Sequence, residues 1–421
     1  MKEKKIYLTK KQMAGGLPLL TRKMPESKVA CLALWVEIGS IYEQPELAGI
    51  SHFMEHIFFK GTSRRGVGKI AQEVHGLGGY LNGFTSWEHT CFWMIVPTRY
   101  MEKGLDILSD ALLNPLFDKE ELEKERKVIL EEIRMGKDLP EHYALEKLLE
   151  TSFQRHLYRI PIIGYDKTIR DMPRQDLIDF HRDYYTAPNL FLSIAGGIDE
   201  EKTIRLVEKI FRDLPGKSAP IPVPPKEKSQ TGFREKTYHG DILTGFVMLG
   251  YHIPEILSRD FYSCEILSAV LGQGQTSRLP LKLREESRLV LKVLAGSITS
   301  KDPGLLLVEA ILLPEKLEAA KSAIFQEIER LQQEEITPLE LEKAKNQLAS
   351  QYLFQLETCE GMAQNLGFYH SMGDYREAER YLAGLEKVGI KQVKQAAQKY
   401  LKMENCSLVS YLPSPKKGNK K

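Results

Sequence analysis

The chain contains no continuous apolar run near the ~18–20 residues that a bilayer-spanning helix needs, so no membrane anchor is expected. Its charged start, Met1-Lys2-Glu3-Lys4-Lys5, is followed by no apolar block of the ~7–15 residues found in a secretory leader, and a cytoplasmic setting is expected. Cysteine is scarce. The five residues Cys31, Cys91, Cys264, Cys359 and Cys406 are scattered and form no CxxC pair. They read as reduced, buried thiols rather than a disulfide framework or a thiolate metal cluster. An excess of charge is also missing: 59 Lys+Arg stand against 57 Asp+Glu, a net +2. That balance gives no electrostatic reason for nucleic acid or an anionic membrane as partner. What remains is ordinary globular composition, 42% apolar and 28% charged, over 421 residues. Two or three domains are expected at roughly 150 residues each.

One stretch reads as a linker. Residues 215–225 hold Pro215, Pro220, Pro222, Pro224 and Pro225, too many for helix or central strand, and polar residues continue to Gly232. The expected organisation is therefore a domain at 1–214, a Pro-rich linker at 215–232, a second domain at 233–412 and a basic tail at 413–421. The halves look like a diverged repeat. Phe117–Arg126 resembles Ile336–Lys345 at an offset of 219, and Tyr184–Asn189 resembles Tyr400–Asn405 at an offset of 216. Strands are expected at 29–38, 80–84, 89–96, 190–195, 244–251, 305–312 and 407–411, where β-branched, aromatic and aliphatic residues concentrate. Helices are expected at 46–60, 68–77, 100–113, 119–136, 141–152, 174–184, 200–213, 259–271, 315–333, 338–354 and 387–401. Long helices alternating with hairpin-like strand pairs favour an α+β fold. It is expected to be two similar α/β-sandwich-like domains, each a mostly antiparallel sheet with helices packed on it, related by internal duplication.

The chemistry concentrates in His52-Phe53-Met54-Glu55-His56. Ile50, Phe53, Met54, Ile57 and Phe58 fall at helical spacing and form one buried stripe. His52 and His56 are one turn apart on one side, which suits two ligands of a single ion. Glu55 shares that flank and is placed to reach a water. The order H-x-x-E-H is the inverted zinc-peptidase motif. A catalytic zinc takes a third protein ligand and keeps one open position. Glu125 and Glu132, two turns apart on the 119–136 helix beside Leu122, Val128, Ile129 and Ile133, are the candidates, since carboxylates in an apolar stripe are costly without a partner. At offset 219 they match Ala344 and Gln351, and the region around 261–270 holds no histidine. One half thus reads as metal-bearing and the other as metal-free.

Gly49–Thr62, with this motif inside it, resembles the core motif of the pitrilysin/insulinase-type zinc peptidases. The likeness is greatest to the half-length branch that includes the mitochondrial processing peptidase β-subunit and its bacterial relatives. The resemblance implies one Zn2+ per chain held by His52, His56 and Glu132, which lies 76 positions after His56. It implies Glu55 as general base and Glu125 as a supporting carboxylate, with Glu131 as rival third ligand. Gly78–Ser86 resembles the family's substrate-binding edge strand, implying peptide contacts at Gly79, Leu81, Asn82 and Thr85. Glycines at 78 and 79 would let a backbone approach closely. The family also has an Arg and a Tyr seven residues apart in the second half. Arg284 is kept here, but the tyrosine position is Leu291, which can donate no hydrogen bond to a developing oxyanion. The resemblance therefore implies a zinc endopeptidase acting on short or unfolded peptides. It works as a homodimer, or as the metal-bearing chain of a heterodimer whose partner supplies the Arg/Tyr pair. The alternative is a non-catalytic structural subunit of the same fold.

Overall fold

The computed structural model describes residues 8–13 and 16–415. The first seven residues and positions 416–421 of the expected basic tail lie outside it. The described chain forms two compact units.

The first unit is built on a six-stranded sheet. Its strands are β1 (Leu8–Gln12), β2 (Pro18–Lys23), β3 (Val29–Val36), β4 (Tyr80–Thr85), β5 (Thr90–Pro97) and β6 (Leu190–Gly196), in the order β1-β2-β6-β3-β5-β4. Only the β2–β6 pair is parallel. Apolar β3 lies between β5 and β6 and is buried from Ala30 to Val36, because residues of both parities meet a packed layer. Leu32, Leu34 and Val36 join the core beneath α1 (Ile50–Phe58), α2 (Lys69–Gly76), α3 (Met101–Leu113) and α4 (Lys119–Asp138). Cys31, Ala33 and Trp35 face the helix Cys359–Met372. Trp35 Nε1 donates to Ser193 Oγ at 2.9 Å, and Ser193 Oγ donates to Ala363 O at 2.8 Å. Gly367 abuts the Trp35 ring so closely that a Cβ there would overlap it.

The second unit repeats the plan. Its sheet is β7 (Arg234–Gly240), β8 (Gly245–Ile253), β9 (Lys292–Ile298), β10 (Gly304–Leu312) and β11 (Cys406–Pro413), in the order β7-β11-β8-β10-β9. The one parallel pair, β7–β11, occupies the place of β2–β6. Ala144 and Leu148 of α5 (Pro140–Ser152) pack with Phe246, Met248, Val409 and Tyr411 on one face. Helices Phe261–Gly272, Leu317–Gln333 and Ile390–Tyr400 lie against the other. The fold is thus two similar α+β units with largely antiparallel sheets.

The units do not follow the chain linearly. They divide between Pro224 and Pro225, inside the Pro-rich stretch, but residues 135–159 belong with the second unit and 353–379 with the first. Each half lends the other a covering helix, whereas the linear reading assigned 1–214 and 233–412 whole. Helix Cys359–Met372 was absent from the expected elements because it is buried almost all round and shows no polar stripe. Strands β1, β2, β7 and β9 were also missed. They are short or carry many polar residues, and β1, β7 and β9 lie at sheet edges. Among the described residues no helix is long and apolar enough to cross a membrane.

Candidate metal centre

Helix α1 is held from its first residue. The fully buried Glu43 accepts hydrogen bonds from Gly49 N at 2.7 Å and Ser51 N at 2.8 Å, satisfying amides that the helix leaves open. Burial pushes this carboxyl up to about 7 against the pull of those two bonds. Gly49 enters α1 at φ +96°, and its Cα lies against Ile163 O and Gly164, where a side chain would clash. Ile50, Phe53, Met54, Ile57 and Phe58 are buried as the periodicity implies. His52, Glu55 and His56 are left half-buried on the flank.

Helix α4 supplies the third donor. At about 100° per residue, Leu122, Glu125, Arg126, Ile129 and Ile133 form its buried arc. Glu132 sits at the rim of that arc, with its side chain 41% exposed. Val128, expected in the apolar stripe, falls beyond the rim and is exposed, so the stripe is narrower than the sequence suggested. One donor atom each from His52, His56 and Glu132 lies within 4.8 Å of the others. Glu132 Oε2 is 3.4 Å from His56 Nε2 and 4.0 Å from His52 Nε2. Zinc bonds of about 2.0–2.2 Å in a tetrahedron put neighbouring donors about 3.4 Å apart, so two imidazole nitrogens and a carboxylate oxygen fit zinc here. Burial, aided by His56, pushes the His52 imidazole down to about 3, leaving it neutral as a ligand must be. Its Nδ1 is buried without a hydrogen-bond partner. The other ligand differs: His56 Nδ1 lies 3.1 Å from Glu125 Oε2. The rival Glu131 is paired with Arg134 instead.

Glu55 lies 3.9 Å from His52 Nε2 and accepts from Thr85 Oγ1 at 3.3 Å. Desolvation raises its pKa, opposed by His56 and the Thr85 bond. The buried Tyr185 also stands in the field of Glu55 and Glu43. Strand β4 is the sheet edge: it pairs with β5 from Tyr80↔Ile95 to Thr85↔Thr90, and its other side meets no described strand. Gly83, which the sequence reading passed over, is the glycine this site requires, since a Cβ there would lie 2.9 Å from Glu55 Cγ. At Gly79 a Cβ would lie 2.7 Å from Ile95 O and 3.1 Å from Val74 Cγ1, so its small size also serves packing within the unit. Leu81 packs on the core, and Asn82 is exposed with its Nδ2 donating to Tyr80 OH at 3.3 Å.

With this geometry in view, the relatives are informative. Residues 19–166 match the family described as insulinase, peptidase family M16, and residues 171–348 match the peptidase M16 inactive domain. A zinc protease of Rickettsia felis, itself uncharacterized, is 31% identical over 373 residues, 88% of this chain and 89% of that protein. This chain belongs to peptidase family M16. A probable mitochondrial-processing peptidase β-subunit of Arabidopsis thaliana is 26% identical over 92% of this chain and 75% of that protein. A protease from Helicobacter pylori of known structure superposes with a TM-score of 0.92 at 25% identity, covering 97% of this chain and all of that one.

Of the remaining M16 expectations, Arg284 lies in the second unit, in the helical turn Pro280–Glu286, where its guanidinium donates to Glu285 at 2.7 Å. Leu291 is 54% exposed there. Glu43, Lys60 and Gly83 escaped the sequence reading. The available signals were an acid shortly before a helix lacking a Ser, Thr or Asp cap, a lysine four residues after His56, and a glycine in an edge strand.

Proposed function

We propose that the chain is a zinc-dependent endopeptidase that hydrolyses peptide bonds in short or unfolded peptides, with His52, His56 and Glu132 as the zinc ligands. The convergence of these donors beside Glu55 and an unpaired edge strand carries the reading. Zinc in this donor set supplies Lewis acidity for the scissile carbonyl and lowers the pKa of the attacking water from 15.7 toward about 7. The chain's own groups do the rest. An extended peptide adds beside β4 through main-chain hydrogen bonds, which presents one carbonyl to the site. Glu55 takes the water's proton on a carboxylate oxygen and returns it to the leaving amine nitrogen. Its raised pKa makes that exchange easier near neutrality, and the Thr85 hydroxyl fixes the direction in which Oε2 points. Gly83 keeps the space between strand and carboxylate open.

Leu291, standing where the family resemblance calls for tyrosine, supports a second part of the reading. The chain acts in a dimer, either with a second copy of itself or with a homologous partner whose Arg/Tyr pair completes the oxyanion contacts. The test is zinc content, cleavage of a quenched fluorescent peptide pool and mass in solution, all on the purified chain. About one zinc per chain with chelator-sensitive cleavage is expected for a self-sufficient enzyme. Zinc without cleavage points to the heterodimer. Absence of zinc overturns the ligand set.

A further inference from the structure

The peptidase reading leaves one charged group beside the cluster without a role. Lys60 follows α1 by two residues and stands four positions after His56, with its amide donating to Ile57 O at 3.0 Å. Its Nζ lies 2.6 Å from Glu125 Oε1, while Glu125 Oε2 lies 3.1 Å from His56 Nδ1. The Glu125 side chain is only 11% exposed, and both of its oxygens are engaged. An ionised carboxylate only accepts, so in the neutral ring that a metal binds, His56 Nδ1 carries the hydrogen and Nε2, 3.4 Å from Glu132, is the ligand atom. A carboxylate this buried with only a neutral imidazole for company would be costly, and the ammonium supplies the countercharge. Nothing equivalent supports His52, whose Nδ1 has no partner. Orientation of the two imidazoles is therefore unequal and passes through one carboxylate and one lysine.

The geometry points to Lys60 as a positioning residue of the metal centre. It locks Glu125 in the rotamer that holds His56 in the Nδ1–H tautomer, with Nε2 open toward the metal. The inference rests on His56 being a metal ligand, as the peptidase reading has it. It adds that the affinity of the site is set in part by a residue that touches neither metal nor peptide.

The test compares wild type, Lys60→Met and Lys60→Arg. Zinc dissociation constants come from competition with a chromophoric chelator, and the His56 tautomer from long-range 1H–15N spectra of histidine-labelled, zinc-free protein. Lys60→Met is expected to weaken zinc about tenfold or more and to give His56 a mixture of tautomers. Lys60→Arg, which keeps charge and donors, is expected to restore both to near wild type. Should Lys60→Met fold poorly, Lys60→Gln replaces it, with the same weakening expected because the charge is gone. Unchanged zinc affinity and tautomer in the charge-free variant overturn the inference. A wild type that takes up no zinc overturns the peptidase reading instead, so the two failures are distinct.

Discussion

The two units share a strand order, one parallel pair in the same place and a helix after the central strand, yet among the described residues only the first gathers metal donors. In the first, α1 presents His52, Glu55 and His56, and Glu55 accepts from the Thr85 hydroxyl at the end of edge strand β4. In the second, the helix Phe261–Gly272 carries Tyr262, Glu265 and Ile266 at the same mutual spacing. Glu265 accepts from the Ser297 hydroxyl near the end of edge strand β9, and from Tyr381 at 3.5 Å. The tie between helix carboxyl and edge-strand hydroxyl is common to both units. The ligands are not: tyrosine, isoleucine, Ala344 and Gln351 stand where His52, His56, Glu125 and Glu132 stand. Desolvation raises the pKa of both carboxyls, but Glu265 meets the Ser297 and Tyr381 hydroxyls, whereas Glu55 lies beside the His52, His56 and Glu132 donors. The carboxyl–hydroxyl tie therefore belongs to the scaffold, and the chemistry comes from what surrounds it.

The sharpest way to break this comparison is to neutralise each carboxyl. Glu55→Gln is expected to keep zinc and to lower kcat by about 10²–10⁴-fold, the usual worth of a proton-transferring group. Glu265→Gln is expected to leave kcat and zinc content alone. Equal losses in both variants would mean that Glu55, too, is only structural. Next in size is the glycine beside Glu55. At Gly83 a Cβ would meet Glu55 Cγ at 2.9 Å, whereas the second edge strand has Ala295 two residues before Ser297, and its neighbour Gly296, where a Cβ would meet nothing within 4 Å, serves as the control. Gly83→Ala should displace Glu55 and cost about 10–100-fold in kcat. Gly296→Ala should change neither kcat nor zinc content. Peptide kinetics on the two variants decides it, and an active Gly83→Ala would remove Glu55 from the proton path.

Much of this contrast was legible along the chain. The α1 stripe and the histidine spacing are local properties of one helix, so Ile50, Phe53, Met54, Ile57 and Phe58 announced both its existence and its buried side. The repeat showed where the second half lacks carboxylates. Relations between distant segments were out of reach. Glu43 is seen as the cap of α1 only once Gly49 N and Ser51 N are seen to point at it. Gly79 and Gly83 look alike in sequence, and only their neighbours show which one makes room for Glu55. The helix Cys359–Met372, buried almost all round, loses its period, and α5 shows its period but not which sheet it covers, because that choice depends on residues far along the chain.

The gentlest probe of the comparison is acid. Burial pushes His89 of the first unit down to about 3, and His181 and His370 down to about 4. Each has a folded pKa below its unfolded value near 6.5. Its contribution to stability is therefore full above about pH 6.5 and is lost as pH falls toward 4, by at most about 1.4 kcal/mol per group per pH unit. Glu43 has the opposite sign. Its folded pKa of about 7 exceeds the unfolded value, so its contribution is present below about pH 4.5 and lost as pH rises through 7. In zinc-free protein His52, also held low, and Glu55, also raised, join the two sides, so two carboxyls offset only part of four histidines. In the second unit His252 is held low by burial, and the rise of Glu265 acts against it. The first unit should therefore lose protection at higher pH than the second. Hydrogen exchange of β3 and β8 in zinc-free protein between pH 7 and pH 4, corrected for intrinsic exchange rates, reads this directly. If β8 opens first, the buried histidines do not govern the acid response, and the difference between the units ends at the metal site.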